Sequence, residues 1–160
     1  MRHNLMAAAS PVGRAVAKAN AAKTLAEFDA YVRKINLLVY LTDDGAPCAD
    51  LLARLALALG VGAELGIQLE PNNPDSRRMH AALRAVVQMS VNGGKWQASQ
   101  AKVLHEAAEL AKTAFITYPH ASAGLLKSAG DLSRRIRAGT ARMSDVAGAE
   151  VYNKTKELTA

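Results

Sequence analysis

An all-α fold, a single-domain bundle of six or seven helices, is what this 160-residue sequence predicts, and three observations point to it. Apolar residues recur at helical spacing, cap residues stand where those stretches begin, and the apolar half of the composition is largely alanine and leucine. These two residues lead the helix-propensity scale, whereas strands favour β-branched and aromatic side chains, and aromatics make up only 4% here. The length suits one domain over residues 1–160, with residues 1–9 a flexible N-terminal segment.

In chain order, Ser10-Pro11 reads as the cap and first position of a short helix running to about Ala21. Thr24 caps the next, with Glu27 in capping-box position, and Leu25, Phe28, Val32, Ile35 and Val39 form its apolar stripe. Leu37, Leu38, Tyr40 and Leu41 make this helix apolar on nearly every side, so it must be covered all round, by the bundle or by a second copy, and a homodimer is expected. Gly45 and Pro47 end it. A further helix runs from about Pro47 to Leu69 and contains Gly60, Gly62 and Gly66, which either kink it or admit a close neighbour. Residues 70–76 are a loop, with Asp75 or Ser76 capping a helix that carries Met79, Leu83, Val86 and Val87. Beyond the glycines at 93 and 94, a period near 3.6 resumes through Val103, Leu104, Ala107, Leu110, Ala111 and Ala114. The hairpin spanning Met79–Phe115 is expected at the centre of the bundle. Residues 117–122 break the chain; Leu125, Ala129, Leu132 and Ile136 mark a helix ending at Gly139; Ser144 caps a last one.

The stretch SVNGGKWQASQAK (90–102) invites a phosphate-loop reading, which fails. That loop needs G-x-x-x-x-G-K-[ST] between a strand and a helix; here Met89 and Trp96 stand at the glycine and Ser/Thr positions, and the preceding segment is helical. Helical flanks also exclude a β-hairpin, and the first helix is long for a DNA-reading helix-turn-helix. The remaining reading is a helix end, with Asn92 or Gly93 in the left-handed conformation and Lys95 solvated.

No catalytic constellation emerges. HEAAE (105–109) lacks the second histidine of a zinc-protease helix, and Glu109 stands in its place. Nucleophile-elbow and dinucleotide fingerprints are lacking too, and Asp43-Asp44 reads as turn chemistry. Cys48, the single cysteine, has no visible activating neighbour; it excludes an internal disulfide and suits a reducing compartment. No catalytic, cofactor-binding or metal-binding residue is therefore assigned. No apolar run is long enough for a membrane span. Arg2, Arg14, Lys18 and Lys23 without an acid before Glu27 superficially resemble a transit peptide, but a basic amphipathic first helix is the commoner explanation. A cytoplasmic location is expected.

Charge is the remaining signal. The net +6 is uneven: +4 over residues 1–40, −5 over 41–75, +4 over 76–120 and +3 over 121–160. Arg134, Arg135, Arg137 and Arg142 form one basic cluster, and Arg77, Arg78 and Arg84 a second; both are candidates for binding anions or a partner. The composition thus points to a non-enzymatic intracellular binding module (an adaptor, inhibitor or assembly subunit of bacterial or phage style) with a protein partner. The alternative is a basic subunit making weak, nonspecific phosphate contacts with nucleic acid, because no aromatic is interleaved with the arginines to stack on bases.

Overall fold

The computed structural model of the chain describes residues 26, 49–93, 98–146 and 148. Within them lie four α-helices: α1 (Ala49–Leu69), α2 (Pro74–Asn92), α3 (Ala98–Thr117) and α4 (Pro119–Ala138), followed by a 3₁₀ turn at Met143–Asp145. No strand occurs among the described residues.

The centre belongs to α1. Leu51, Leu52, Leu55, Ala56, Leu59 and Val61 are all buried, and such consecutive positions project to different sides of a helix. A helix buried on most sides needs neighbours on most sides, and α1 packs against α2, α3 and α4, which touch one another far less. The hairpin expected to be central is therefore peripheral: α2 and α3 meet sparsely, and each rests mainly on α1. The stripe logic identified each amphipathic helix correctly, but a hydrophobic-all-round segment takes the middle ahead of any amphipathic pair.

Glycine sets how closely the helices approach. α1 runs unbroken through Gly60, Gly62 and Gly66, so the kink that these residues permitted does not occur. A Cβ placed on Gly62 would lie 2.9 Å from the Ala111 Cβ, and one on Gly66 only 2.6 Å from the Ser76 Cβ. At Gly60 the Ala129 Cβ would be 3.2 Å away. These contacts also give the directions. Residues 62 and 66 of α1 meet 79 and 76 of α2, so those helices are antiparallel. Gly60 meets Ala129, and Ser133 Oγ donates a buried 2.8 Å hydrogen bond to the carbonyl of Ala53, so α4 is also antiparallel to α1. With short connections between α2, α3 and α4, the course is up-down-up-down.

The connections follow local chemistry, with several differences from expectation. Between α1 and α2 the cap is Asn73, not Asp75 or Ser76: Asn73 Oδ1 accepts the Asp75 N–H at 2.9 Å, and Pro74 takes the first helical position. Ser76 is instead a buried tie whose hydroxyl donates to the Glu70 carbonyl at 2.8 Å. α2 continues through Asn92 and ends at Gly93 with φ 70° and ψ −166°. The positive φ fits the expected role of that glycine, but ψ lies in the extended, glycine-only region rather than the left-handed helical one. The break expected over residues 117–122 shrinks to Tyr118. Pro119 stops α3 and starts α4, and the Ser122 hydroxyl closes the new first turn on the Tyr118 carbonyl at 2.6 Å.

α4 ends as expected at Gly139, which is left-handed (φ 72°, ψ 20°). The Thr140 and Gly139 N–H groups bond back to Arg135 and Ile136, in the Schellman arrangement. Ser144 lies inside the 3₁₀ turn and Val146 has extended backbone, so Ser144 caps no helix; Val151, Tyr152 and Leu158, expected in that last helix, lie outside the described residues. Gly148 (φ 89°) then passes close to the Ile67 side chain, in a backbone conformation that favours glycine. The helices expected over 10–21 and 24–41 lie outside the described residues, except that Ala26 is helical and exposed. Lys95, Trp96, Asp43, Asp44 and Cys48 also lie outside them.

Candidate functional site

The first candidates are the arginines. Arg134, Arg135, Arg137 and Arg142 gather at the end of the bundle where α4 finishes and α1 begins. Three of the four are met by acids. Arg134 pairs with Asp131 one turn away. Arg135 Nη1 donates to Asp145 Oδ1 at 2.9 Å, and Arg137 Nη2 reaches Asp50 Oδ1 at 3.1 Å. Asp145 also accepts the Arg142 backbone N–H at 2.8 Å, which fixes the 3₁₀ turn. Counting Arg54, which also pairs with Asp50, five arginines share three aspartates, so the local positive charge is reduced but not cancelled.

Asp50 is the hub of this arrangement, because Arg54 Nε also donates to it at 2.8 Å. Desolvation pulls the Asp50 carboxyl upward, but the hydrogen bond and charge of Arg54, joined by Arg137, outweigh it and hold its pKa below the usual carboxylate value. The acidic segment is therefore not segregated from the basic ones; folding brings them together.

The second cluster lies elsewhere. Arg77 follows Ser76, which packs on Gly66, sixteen residues along α1 from Asp50 and so about 24 Å away along the helix. The two clusters are not one surface. Arg78 pairs loosely with Asp75 at 3.7 Å, whereas Arg77 and Arg84 are exposed on α2 and make no ion pair among the described residues.

The feature that sequence reasoning missed is a groove. α3 sits on α1 through Leu104, Ala107, Ala108, Ala111 and Phe115, and stands apart from α2. The cause is side-chain size: Ala81, Ala82 and Ala85 on α2 and Ala107 on α3 leave the space between the helices unfilled. Two hollows of about 230 and 610 Å³ result, and they share Ala81 and Val103, so they form one trough. Its floor and walls are mostly apolar, with Met89 at one end and Leu110 at the other. Val103 stands at the rim, 56% exposed. Arg78, His105, Glu106 and Glu109 border the wider end.

This position absorbs the HEAAE stretch: His105 and Glu109 line a groove wall on α3. Both are engaged in interactions of their own. Among the described residues, no three His, Cys, Asp or Glu side chains gather where they would hold a metal ion. No helix among those residues is long and apolar enough to cross a membrane.

An apolar trough bounded by charged rims is suited to packing a complementary apolar stripe. No protein-family model, curated protein or solved structure matches this chain.

Proposed function

We propose that the protein is a non-enzymatic intracellular binding module that receives an amphipathic helix in the trough between α2 and α3. The observation that supports this reading is the trough itself: two helices held apart over an apolar floor, with Val103 exposed at the rim. Helix-in-groove recognition uses anchors at i, i+3, i+4 and i+7, and a partner with that pattern is the expected ligand. Selection from a display library of helical peptides tests it. Enriched sequences carry that apolar spacing, and Val103→Asp removes their binding without changing the circular dichroism spectrum. Enrichment of unpatterned acidic peptides, or binding indifferent to Val103→Asp, refutes it.

Nucleic acid is the second reading. It rests on Arg77 and Arg84, seven residues apart on the exposed side of α2 without acidic partners among the described residues. Each phosphate contact steepens the salt dependence by roughly 0.7–0.9 in log–log slope. The pairing of Arg134, Arg135 and Arg137 with aspartates leads us to expect weak binding, little altered when those three are replaced by alanine. Submicromolar binding at physiological salt, lost when Arg77 and Arg84 are replaced by alanine, makes this reading the better one.

A further inference from the structure

We propose that the helix received by this trough carries opposite charges on its two flanks: an aromatic anchor at one end of its apolar stripe stands between a cation facing α3 and a carboxylate facing α2. This inference rests on the reading of the trough as a helix receptor, and it adds which helices are admitted and in which direction they lie.

Charge supplies the first argument. At the wider end of the trough α2 presents Arg78, whose side chain is 71% exposed and meets Asp75 only at 3.7 Å. The opposite wall presents Glu106, which is exposed and makes no ion pair among the described residues. On α3 it lies about 60° from Val103, whereas Lys102 lies about 40° farther round, away from the trough. Arg77 and Arg84 add positive charge on the exposed side of α2. A rim that is basic on one wall and acidic on the other attracts the opposite charges on the two flanks of an occupant, and repels the same charges exchanged.

Width supplies the second. The hollow between Arg78 and Glu106 measures about 610 Å³, and the one between Met89 and Ser99 about 230 Å³. The first has room for an aromatic side chain and the second for an aliphatic one. Among the described residues no charged side chain lines the narrow hollow, so charge is recognised only beside the large anchor.

Helix geometry joins the two. Seen from the N-terminus of α2 with α1 below, successive residues turn clockwise by about 100°, and the trough-lining positions of α2 lie about 120° anticlockwise of its buried face. α3 therefore stands to the right of α2. A helix lying in the trough parallel to α2 turns clockwise from its α3 flank through its buried face to its α2 flank, about 100° at each step. Cation, aromatic and carboxylate are then consecutive residues in that order. Because α2 begins at the wide end, they fall near the occupant's N-terminus. An occupant antiparallel to α2 carries them in reverse order, carboxylate first, near its C-terminus.

Three designed helical peptides test the assignment by fluorescence anisotropy with the full chain. Each has Phe near its N-terminus and Leu three, four and seven residues later. The three differ only beside the Phe, as Lys-Phe-Glu, Glu-Phe-Lys or Gln-Phe-Gln. At low salt Lys-Phe-Glu should bind about tenfold more tightly than Glu-Phe-Lys, a modest ratio because both rim charges are exposed. The ratio should shrink as salt is added. In the doubly reversed protein, Arg78→Glu with Glu106→Lys, the preference should invert, which separates recognition from any difference in helicity between the peptides. Both positions are exposed, and circular dichroism verifies that the fold is kept. Equal affinity for the three peptides, or a preference unchanged in the reversed protein, overturns the charge assignment and leaves the receptor reading standing. Failure of all three to bind overturns both, and a dimer that Val103→Asp dissociates then assigns the trough to a second copy.

Discussion

Replacing Gly66 by alanine is the sharpest test of how the bundle is held. In an open helix the change stabilises by about 1 kcal/mol, because glycine loses more backbone freedom on folding. At Gly66 the new methyl meets the Cβ and Oγ of Ser76 at 2.6 Å and its Cα at 3.1 Å. Ser76 cannot rotate out of the way: it is 1% exposed, and its hydroxyl holds the Glu70 carbonyl at 2.8 Å. Overpacking of this kind costs about 1–3 kcal/mol, and disturbing that hydrogen bond costs about 1 more. Set against the propensity gain of about 1 kcal/mol, the net loss is about 1–3 kcal/mol. For a chain of this size that is a fall in Tm of about 2–12 °C. Gly124 is the matched control, since it is exposed within α4 and a Cβ there meets nothing within 4 Å. Gly124→Ala should raise stability by up to about 1 kcal/mol. Differential scanning calorimetry of both variants gives the answer. If Gly66→Ala is as stable as the parent while Gly124→Ala behaves as expected, the close packing of α1 on α2 is wrong.

Three further outcomes are expected. Ser133→Ala removes the buried hydrogen bond to the Ala53 carbonyl and costs about 1 kcal/mol by urea denaturation; no loss would show that the α1–α4 contact is apolar only. Asp50 has a folded pKa below its unfolded value of about 3.9, so its contribution is present above that pH and lost as pH falls through the lowered value. Asp50→Asn should therefore flatten the decline in stability below about pH 4 and cost less than about 1 kcal/mol at neutrality, where the pairs are solvent-exposed. Tyr118 donates to Glu70 Oε1 at 3.1 Å, and this bond, the carboxylate charge and desolvation raise its pKa above 10. Its contribution is complete below pH 10 and disappears as pH rises through the raised value, so ultraviolet titration should show one of four tyrosines ionising late, and Tyr118→Phe should remove that phase.

Much of the described fold was legible from spacing. The apolar periods of α1 to α4 and the stops at Gly93 and Gly139 needed nothing beyond the chain itself. The placement of α1 was legible in principle, since Leu51, Leu52, Leu55 and Leu59 among alanines leave it only a narrow polar side at Asp50, Arg54, Glu64 and Gln68, but an amphipathic hairpin looked like the natural core. Asn73 was missed as a cap because Asp75 and Ser76 offer the same chemistry two and three residues later. The trough was not legible at all. It arises from missing volume at alanines on two different helices, and an alanine on an amphipathic face reads the same whether or not a neighbour fills the space beside it. The arginine clusters were visible, but the pairing of the Arg134–Arg142 cluster was not, since Asp50 and Arg137 are 87 residues apart in sequence.

The radial arrangement of the helices about α1 also orders the molecule in time. Amide groups exchange with solvent through the least costly opening that exposes them, and that cost follows the apolar contact that each element gives up. α3 gives up contact mainly with α1, through five buried side chains of which three are alanines. It can lift away while α1 remains covered by α2 and α4. Its amides should therefore exchange fastest among the four helices, independently of the rest. Those of α1 should exchange only when the whole bundle unfolds, because no partial opening uncovers a helix with neighbours on three sides.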